Sequence, residues 1–433
     1  MGRPETICVV GLWHLGTVVA ASWAELGYHV IGLDGSTSVV EGLRSGRAPI
    51  FEPGLDDLLQ ANLSKGRLAF TTVFRDAILP SDFVFVAFDT PVDDDDRVDL
   101  APVGKALRDL APHLKAGAIV IVSSQVPVGT CARWREEVRR LSAHETVDLV
   151  YSPENLRLGE AICCYLHPDR IVIGADDEAT KQRVLSLFDA LGAPVLLMSL
   201  ASAEMAKHAL NTFLATSVSF INEIATICEA TGADILSVVE ALKTDPRIGP
   251  RAFLSPGLGF AGGTLARDIQ VLKEVGRAAG SGTPLLDSVL EVNRCRPGYV
   301  LRRLTDLYTK VEDLVVGVLG LTYKPGTSTL RRSVALDVIG SLAGAGANVR
   351  AYDPKADLSE LEGPAGFEPV ADPYEVARGA SVLLILTEWP EFTQLDFARI
   401  KSVMANPVIL DGKNLLAGLG LGERGFRYMG VGR

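Results

Sequence analysis

Residues 259–268 read GFAGGTLARD, a glycine-rich run that turns abruptly charged, with Thr264 where the loop passes into a helix. A side chain at such a junction is a candidate for chemistry. Its hydroxyl is far less nucleophilic at neutral pH than a thiol, and the known threonine nucleophile relies on a free N-terminal amine that an internal residue lacks. A second candidate is the pair Lys207 and Asn211, in a proline-free stretch running from about residue 200 to 230. One helical turn separates them, so they share a face and can bind or activate an oxygen together. On an exposed face the same pair would do nothing.

A third candidate lies near the N-terminus. The β-rich run ICVV (7–10) enters GLWHLG (11–16), a helical pattern follows, and a second strand, HVIGLD, ends at Asp34. Strand, glycine turn, helix, strand and acid are the parts of a dinucleotide-binding unit. In such a unit the helix N-terminus holds a pyrophosphate and the acid pairs with the adenosine ribose. Gly11, Trp13, His14, Leu15, Gly16 and Asp34 are therefore cofactor-binding candidates, and the acid favours NAD over NADP. Trp13 takes the place of the middle glycine of G-x-G-x-x-G, so its indole must swing aside or push the phosphates away. If it pushes them away, the unit binds nothing.

These residues need a scaffold. Strands FVFVAFDTP (83–91) and AIVIVSSQVPVGT (118–130), spaced by helical stretches, predict a parallel sheet wound on both faces. Ligands then sit at the carboxyl ends of the strands, where Thr90, Pro91 and Ser124 fall. The four aspartates at 93–96 read as a solvated loop rather than a metal site. Met205, Phe213, Phe220, Ile224 and Ile227 give the long helix an apolar stripe, expected to be buried against a partner or a neighbouring domain. In the last third, strands at 314–323, 348–354, 381–387 and 407–414 predict a second, smaller doubly wound sheet. Lys324 and Arg331 flank a loop that leaves its first strand, which suits a nucleotide phosphate. The fold class is α/β: two Rossmann-like doubly wound parallel-sheet domains, 1–199 and 301–433, joined by a central helical segment, 200–300.

Composition bounds the function. The chain has 433 residues, 48% hydrophobic and 22% charged, with a formal charge of -11, which argues against general affinity for nucleic acid or anionic membrane. No apolar run approaches the roughly 20 residues that span a bilayer. The chain runs from MGRPET straight into a strand without the layout of a secretory signal, so a cytoplasmic address is expected. The six cysteines form neither a disulfide framework nor a C-x-x-C metal pattern, and no metal site is readable. Vicinal Cys163 and Cys164 read as packed or bystander thiols.

The segments SPENLRLGEAICCYLHPDRIVIG (152–174), KHALNTFLATSVSFINE (207–223), DPRIGPRAFLSPGLGFAGG (245–263), YKPGTSTLRRS (323–333) and TEWPEF (387–392) together resemble the UDP-glucose/GDP-mannose dehydrogenase family. The resemblance covers nearly the whole chain, in the family's order and spacing. It implies an N-terminal NAD domain, a central helix that helps form a homodimer, and a C-terminal domain for the nucleotide of a nucleotide-diphosphate sugar. Members oxidise the sugar's C6 alcohol to the acid with two NAD in sequence. A cysteine thiolate captures the intermediate aldehyde, and glutamates and a threonine handle water during hydrolysis.

Carried over residue by residue, the catalytic cysteine aligns with Thr264, the neighbouring lysine with Arg267 and the aspartate with Asp268. Glu154 matches the first glutamate, Leu158 stands at the second, and Gln125 stands at the water-site threonine. Lys207, Asn211 and Asp268 match the residues that position substrate and assist deprotonation. Substrate contacts are implied for Arg157, Arg247, Tyr323, Lys324 and Lys413, and for Phe253, Leu254, Gly257 and Gly259 of the loop closing over the diphosphate. Arg331 matches an arginine near the cofactor.

Three departures fall in one half of the mechanism: what serves the first hydride transfer is largely kept, with Arg267 in place of a lysine, whereas Thr264, Leu158 and Gln125 replace residues of capture and hydrolysis. Such a pattern fits a two-electron oxidation that stops at an aldehyde or ketone. The alternatives are a catalytically silent nucleotide-sugar-binding paralogue, a redox-neutral epimerase that keeps its NAD, and a four-electron enzyme with a surrogate nucleophile.

Overall fold

The runs Phe83–Val86 (β4) and Ile119–Val122 (β5) are buried along their whole length, as strands covered on both faces by helices must be. They centre an eight-stranded sheet with β1 (Thr6–Val10), β2 (His29–Leu33), β3 (Leu68–Thr71), β6 (Asp148–Tyr151), β7 (Ile171–Gly174) and β8 (Val195–Met198), in the order β3-β2-β1-β4-β5-β6-β7-β8. Its pairings are parallel except for β6 with β7. A second sheet holds β9 (Val315–Leu319), β10 (Asn348–Tyr352), β11 (Glu368–Pro369), β12 (Val382–Ile385), β13 (Val408–Asp411) and β14 (Arg427–Gly430), in the order β11-β10-β9-β12-β13-β14. Every pairing in it is parallel. The computed structural model describes residues 5–90, 98–154, 156–361 and 363–433. Pro91 and the aspartates at 93–96 lie outside the described residues.

The two sheets belong to two compact units, Met1–Leu210 with Gln270–Val275, and Asn211–Ile269 with Gly276–Arg433. In each, the first strand ends in a glycine with φ near +90°: Gly11 at 87° and Gly320 at 97°. An L side chain rarely adopts that conformation, and in each turn the glycine N–H reaches the last carbonyl of the neighbouring strand. Gly11 donates to Leu33 at 3.0 Å and Gly320 to Tyr352 at 2.8 Å.

A 32-residue helix, Leu200–Thr231, carries Lys207 and Asn211. In the second unit its Ile221, Ala225 and Cys228 pack into the core beneath the six-stranded sheet, with Leu254, Leu258, Tyr299 and Val316. Of the expected apolar stripe, Ile224 packs against that core and the other four residues lie on a different face. Met205, Phe213, Phe220 and Ile227 are exposed in the single chain, Phe213 at 68%, so the helix has two apolar faces and its own chain covers one. No helix among the described residues is long and apolar enough to cross a membrane.

Candidate functional site

The glycine turn of the first unit keeps its tight closure. A Cβ on Gly16 would lie 1.7 Å from the Gly11 carbonyl oxygen, so only glycine lets the helix His14–Glu25 start against β1. Trp13, just before that helix, is 49% exposed: its indole projects outward instead of packing into the turn. Leu15 and Gly16 are buried. Asp34 accepts the Leu12 N–H on Oδ2 and the Ser36 N–H on Oδ1, each at 2.8 Å, which fixes the half-buried carboxylate at the end of β2. Gly11, Gly16, the helix N-terminus and Asp34 together fit the pyrophosphate and ribose of NAD. Thr90 is buried at the end of its loop. Ser124 is committed locally, since its hydroxyl accepts the Phe88 N–H at 2.8 Å and ties the segments after β4 and β5 together.

His14 is buried with its Nε2 2.9 Å from Glu52 Oε2. That carboxylate also accepts the N–H groups of Gly159 and Ala161, both at 2.9 Å, at the start of the helix Ala161–Leu166. Glu204, fully buried on the long helix, accepts Gly129 N–H at 2.6 Å and Cys131 N–H at 2.7 Å and so caps the helix Thr130–Leu141. Burial first, and then this carboxylate, push the Cys131 thiol well above its ordinary pKa. Lys207, three residues on, is buried and donates to the Glu154 carbonyl oxygen, while the Glu154 carboxylate accepts the Leu156 N–H. His208 Nε2 faces the Val126 carbonyl at 2.8 Å, which puts the ring proton there and leaves Nδ1 as the acceptor for Gln125 Nε2 at 3.5 Å. Leu158 is half-buried, and Arg157 is exposed beside Glu160 at 3.7 Å.

In the second unit Thr264 is the exposed first residue of the helix Thr264–Ala278. Asp268, one turn on, is fully buried and accepts from Asn211 Nδ2, with Arg267 Nε 3.6 Å from its other oxygen. The loop before Thr264 is held from two sides. Gly262, at φ +75°, donates to the Arg332 carbonyl at 3.2 Å, and its missing Cβ would meet the Tyr323 ring at 3.2 Å. Arg332 itself sits at φ +54°, a conformation uncommon for a long side chain, and it aims the carbonyl at the loop. Lys324 Nζ lies 5.7 Å from the Tyr323 ring centre, and burial raises the Tyr323 hydroxyl above its ordinary pKa. Arg331 is exposed on the same loop.

Lys413 pairs with Glu388 at 3.1 Å. Arg247 is exposed and paired with Asp245 at 2.7 Å. Within 253–260 the side chains part company: Phe253 is exposed, whereas Leu254 is buried in the core and offers no apolar surface to a ligand. Gly257 lies against the Gly412 carbonyl and the Lys413 side chain, and Gly259 has φ +97° with Asn293 where a Cβ would go.

The acid at the end of β10, Asp353, differs from Asp34. Its Oδ2 accepts from Leu321 N, Thr322 N, Thr322 Oγ1 and Trp389 Nε1 at 2.7 to 3.1 Å, and its Oδ1 from Lys355 N and Ala356 N at 2.9 Å. A carboxylate so occupied shapes its own loop, and the TEWPEF motif supplies the tryptophan that completes the set. No cluster of three or more His, Cys, Asp or Glu suited to a metal occurs among the described residues. A cavity of about 550 Å³ lined by Leu307, Tyr308, Asn406 and Arg427 contains none of the candidate residues.

Glu52, Glu204, Asn222, Asn293 and Arg296, which hold these loops, were not legible as site residues in the sequence. Their partners lie 33 to 109 residues away in the chain, and the signal lay in what they grip, the glycines and His14, not in these residues themselves.

Residues 5–192 match the model of the UDP-glucose/GDP-mannose dehydrogenase family NAD binding domain, 201–295 that of the central domain and 317–418 that of the UDP binding domain. The chain is 36% identical to UDP-glucose 6-dehydrogenase TuaD of Bacillus subtilis (strain 168), over 99% of this chain and 93% of that one. It is 35% identical to a UDP-glucose 6-dehydrogenase of Rhizobium meliloti (strain 1021), over 99% of both. Among solved structures, a UDP-glucose dehydrogenase from the hyperthermophilic archaeon Pyrobaculum islandicum superposes with TM-score 0.88 at 33% identity, covering 99% of this chain and 98% of that one. A UDP-D-ManNAc dehydrogenase from Pyrococcus horikoshii gives 0.87 at 28% identity, covering 99% of each.

Proposed function

The chain belongs to the UDP-glucose/GDP-mannose dehydrogenase family of NAD-dependent enzymes, and from that premise we propose that it oxidises one CH–OH group of a nucleotide-diphosphate sugar by two electrons, to an aldehyde or ketone, without a covalent thiohemiacetal step. The match to a UDP binding domain supports uridine diphosphate as the carrier. NAD, when bound, accepts the hydride. Gly11, Gly16 and the helix start at His14 would hold its pyrophosphate, and Asp34 its ribose. Lys207 binds the reacting oxygen, and Asp268, held by Asn211, takes the hydroxyl proton directly or through a water.

The observation that carries this reading is Thr264. It is exposed in the first turn of its helix, at the position that the family resemblance pairs with the nucleophile, and a hydroxyl there has neither the acidity of a thiol nor an amine base. Four of the six thiols are poor substitutes, since Cys8, Cys131 and Cys228 are buried and burial raises the Cys164 thiol above its ordinary value, whereas Cys163 and Cys295 are exposed. A homodimer built on the uncovered face of the long helix is part of the same proposal, supported by exposed Phe213, Phe220 and Ile227 at seven-residue spacing.

The test is stoichiometric. UDP-glucose and related nucleotide sugars are incubated with excess NAD while NADH and product mass are followed together. One NADH per sugar consumed, with a product two mass units lighter, is expected. Two NADH with an acid would overturn the two-electron reading, and nucleotide-sugar binding without NAD affinity would favour a silent binding protein.

A further inference from the structure

Gly257 lies in the loop 253–260, and both polar atoms of its backbone are taken by side chains from elsewhere in the second unit. Its N–H donates to Asn222 Oδ1 at 2.7 Å. Its carbonyl oxygen accepts two bonds from one guanidinium, Arg296 Nε at 3.0 Å and Nη2 at 2.6 Å. Arg296 Nη1 reaches the Asn222 carbonyl at 3.4 Å and Thr226 Oγ1 at 3.2 Å, on the same long helix, and the guanidinium carbon stands 5.0 Å from the Tyr299 ring centre.

Arg296 is only 4% exposed and Asn222 only 1%. Burying a cation costs free energy, and this one spends its donors on carbonyl and hydroxyl oxygens. An apolar side chain would fill the space more cheaply. What arginine adds is a planar fork that converges on one carbonyl and fixes its direction.

The next turn of the loop is pinned from the same place. Asn293, three residues before Arg296, accepts the Phe260 N–H at 2.8 Å and donates to the Phe260 carbonyl at 3.1 Å. Between the pins Leu258 is buried, so the segment has little freedom left. A Cβ on Gly257 would meet the Gly412 carbonyl at 3.1 Å, and Lys413 follows immediately. The Arg296 fork therefore sets the register of the loop against the Gly412–Lys413 turn.

We propose that Arg296 is a positioning residue for nucleotide-sugar binding: its two-pronged grip on the Gly257 carbonyl holds the loop 253–260 in its binding conformation before substrate arrives. A loop fixed in advance does not have to be ordered at the expense of affinity. This inference rests on the reading of the protein as a nucleotide-sugar enzyme. It adds a residue that touches no substrate.

The experiment uses the full chain with Arg296→Met, which keeps the apolar volume but removes the donors, and Arg296→Lys, which keeps the charge but not the fork. Hydrogen–deuterium exchange of the ligand-free proteins is expected to show exchange at the amides of 257–260 at least tenfold faster in Arg296→Met than in wild type, with Arg296→Lys between. The KM for UDP-glucose, or for whichever nucleotide sugar the wild type turns over, is expected to rise about tenfold in Arg296→Met. The KM for NAD is expected to change less than twofold. Unchanged loop exchange, or a sugar KM that does not move while the loop loosens, overturns the proposal. So does an equal rise in both KM values, which is the signature of general destabilisation. If the wild type binds and turns over no nucleotide sugar, the proposed function fails, and the exchange comparison still decides whether Arg296 holds the loop.

Discussion

His14 and Glu52 are joined by a 2.9 Å hydrogen bond inside the first unit, and through it the glycine turn is tied to the segment that carries Arg157 and Leu158. The same carboxylate closes the backbone of Gly159 and Ala161, so removing it leaves two amides and a ring nitrogen without their acceptor.

Glu52→Ala should therefore lower the unfolding free energy by about 2–4 kcal/mol, read from the urea midpoint. It should also weaken NAD binding several-fold by calorimetry at a temperature where the variant is folded, because His14 opens the helix proposed to hold the pyrophosphate. Glu52→Gln, which keeps the shape and one acceptor oxygen, should lose less on both counts. An NAD affinity that survives Glu52→Ala would show that the turn does not depend on this bond.

Asp82 gives a pH-dependent counterpart. Burial alone would raise its pKa, but the Lys115 ammonium at 2.6 Å and the Thr6 N–H at 2.9 Å outweigh that and hold it below the ordinary 3.8. A lowered folded-state value means stability that is present above the ordinary pKa and lost as the pH falls through the folded one. Asp82→Asn should cost about 1 kcal/mol at pH 7. The gap between the two proteins should close as the pH falls below about 4. Denaturation curves from pH 3 to 7 measure this, and a gap that stays constant would assign the loss to packing.

How much of this was legible before folding depends on how far apart the partners are. The cofactor turn was legible, since Gly11, Gly16 and Asp34 lie within one strand–helix–strand unit and their spacing is itself the signal. The first sheet also extends through β7 and β8, four-residue runs between the helices Ala161–Leu166, Glu178–Phe188 and Leu200–Thr231 that are too short to show a period of their own. Asp353 follows β10 as Asp34 follows β2, so position in the strand pattern does not tell the two acids apart. Only the donors around Asp353, including Trp389 from 36 residues on, show that it closes its own loop. The apolar stripe of the long helix was legible as a stripe but not as an uncovered one, because hydrophobic spacing reports a buried face without saying what buries it.

That uncovered face predicts self-association. Phe213, Phe220 and Ile227 recur every seven residues and are 68%, 49% and 53% exposed, more apolar surface than one helix usually leaves to water. The double variant Phe213→Glu with Phe220→Glu should sediment as a monomer at micromolar concentrations where the wild type is a dimer. Its dissociation constant should rise on the order of 100-fold or more. A wild type that is monomeric, or a variant that still dimerises, would show that this stripe meets something other than a second copy.

Thr264→Cys separates the loss of the nucleophile from the loss of water handling. With a thiol at the head of its helix, the aldehyde formed in the first oxidation can add to sulfur, its carbonyl taking the thiol proton to give a thiohemiacetal. With a second NAD as hydride acceptor, the thiohemiacetal would lose a hydride to it and its hydroxyl proton to solvent, and a thioester would remain on the protein. On the proposed reading, in which Gln125 and Leu158 replace the threonine and glutamate that the family resemblance implies for hydrolysis, the variant should stop there. The expected result is a burst of a second NADH, about one per active site, and an intact-protein mass increased by the acyl group of the nucleotide sugar. Adding Gln125→Thr and Leu158→Glu should convert the burst into turnover with acid released. If Thr264→Cys alone releases acid at a steady rate, the water-handling substitutions do not matter. If it shows neither burst nor adduct, residue 264 does not face the reacting carbon.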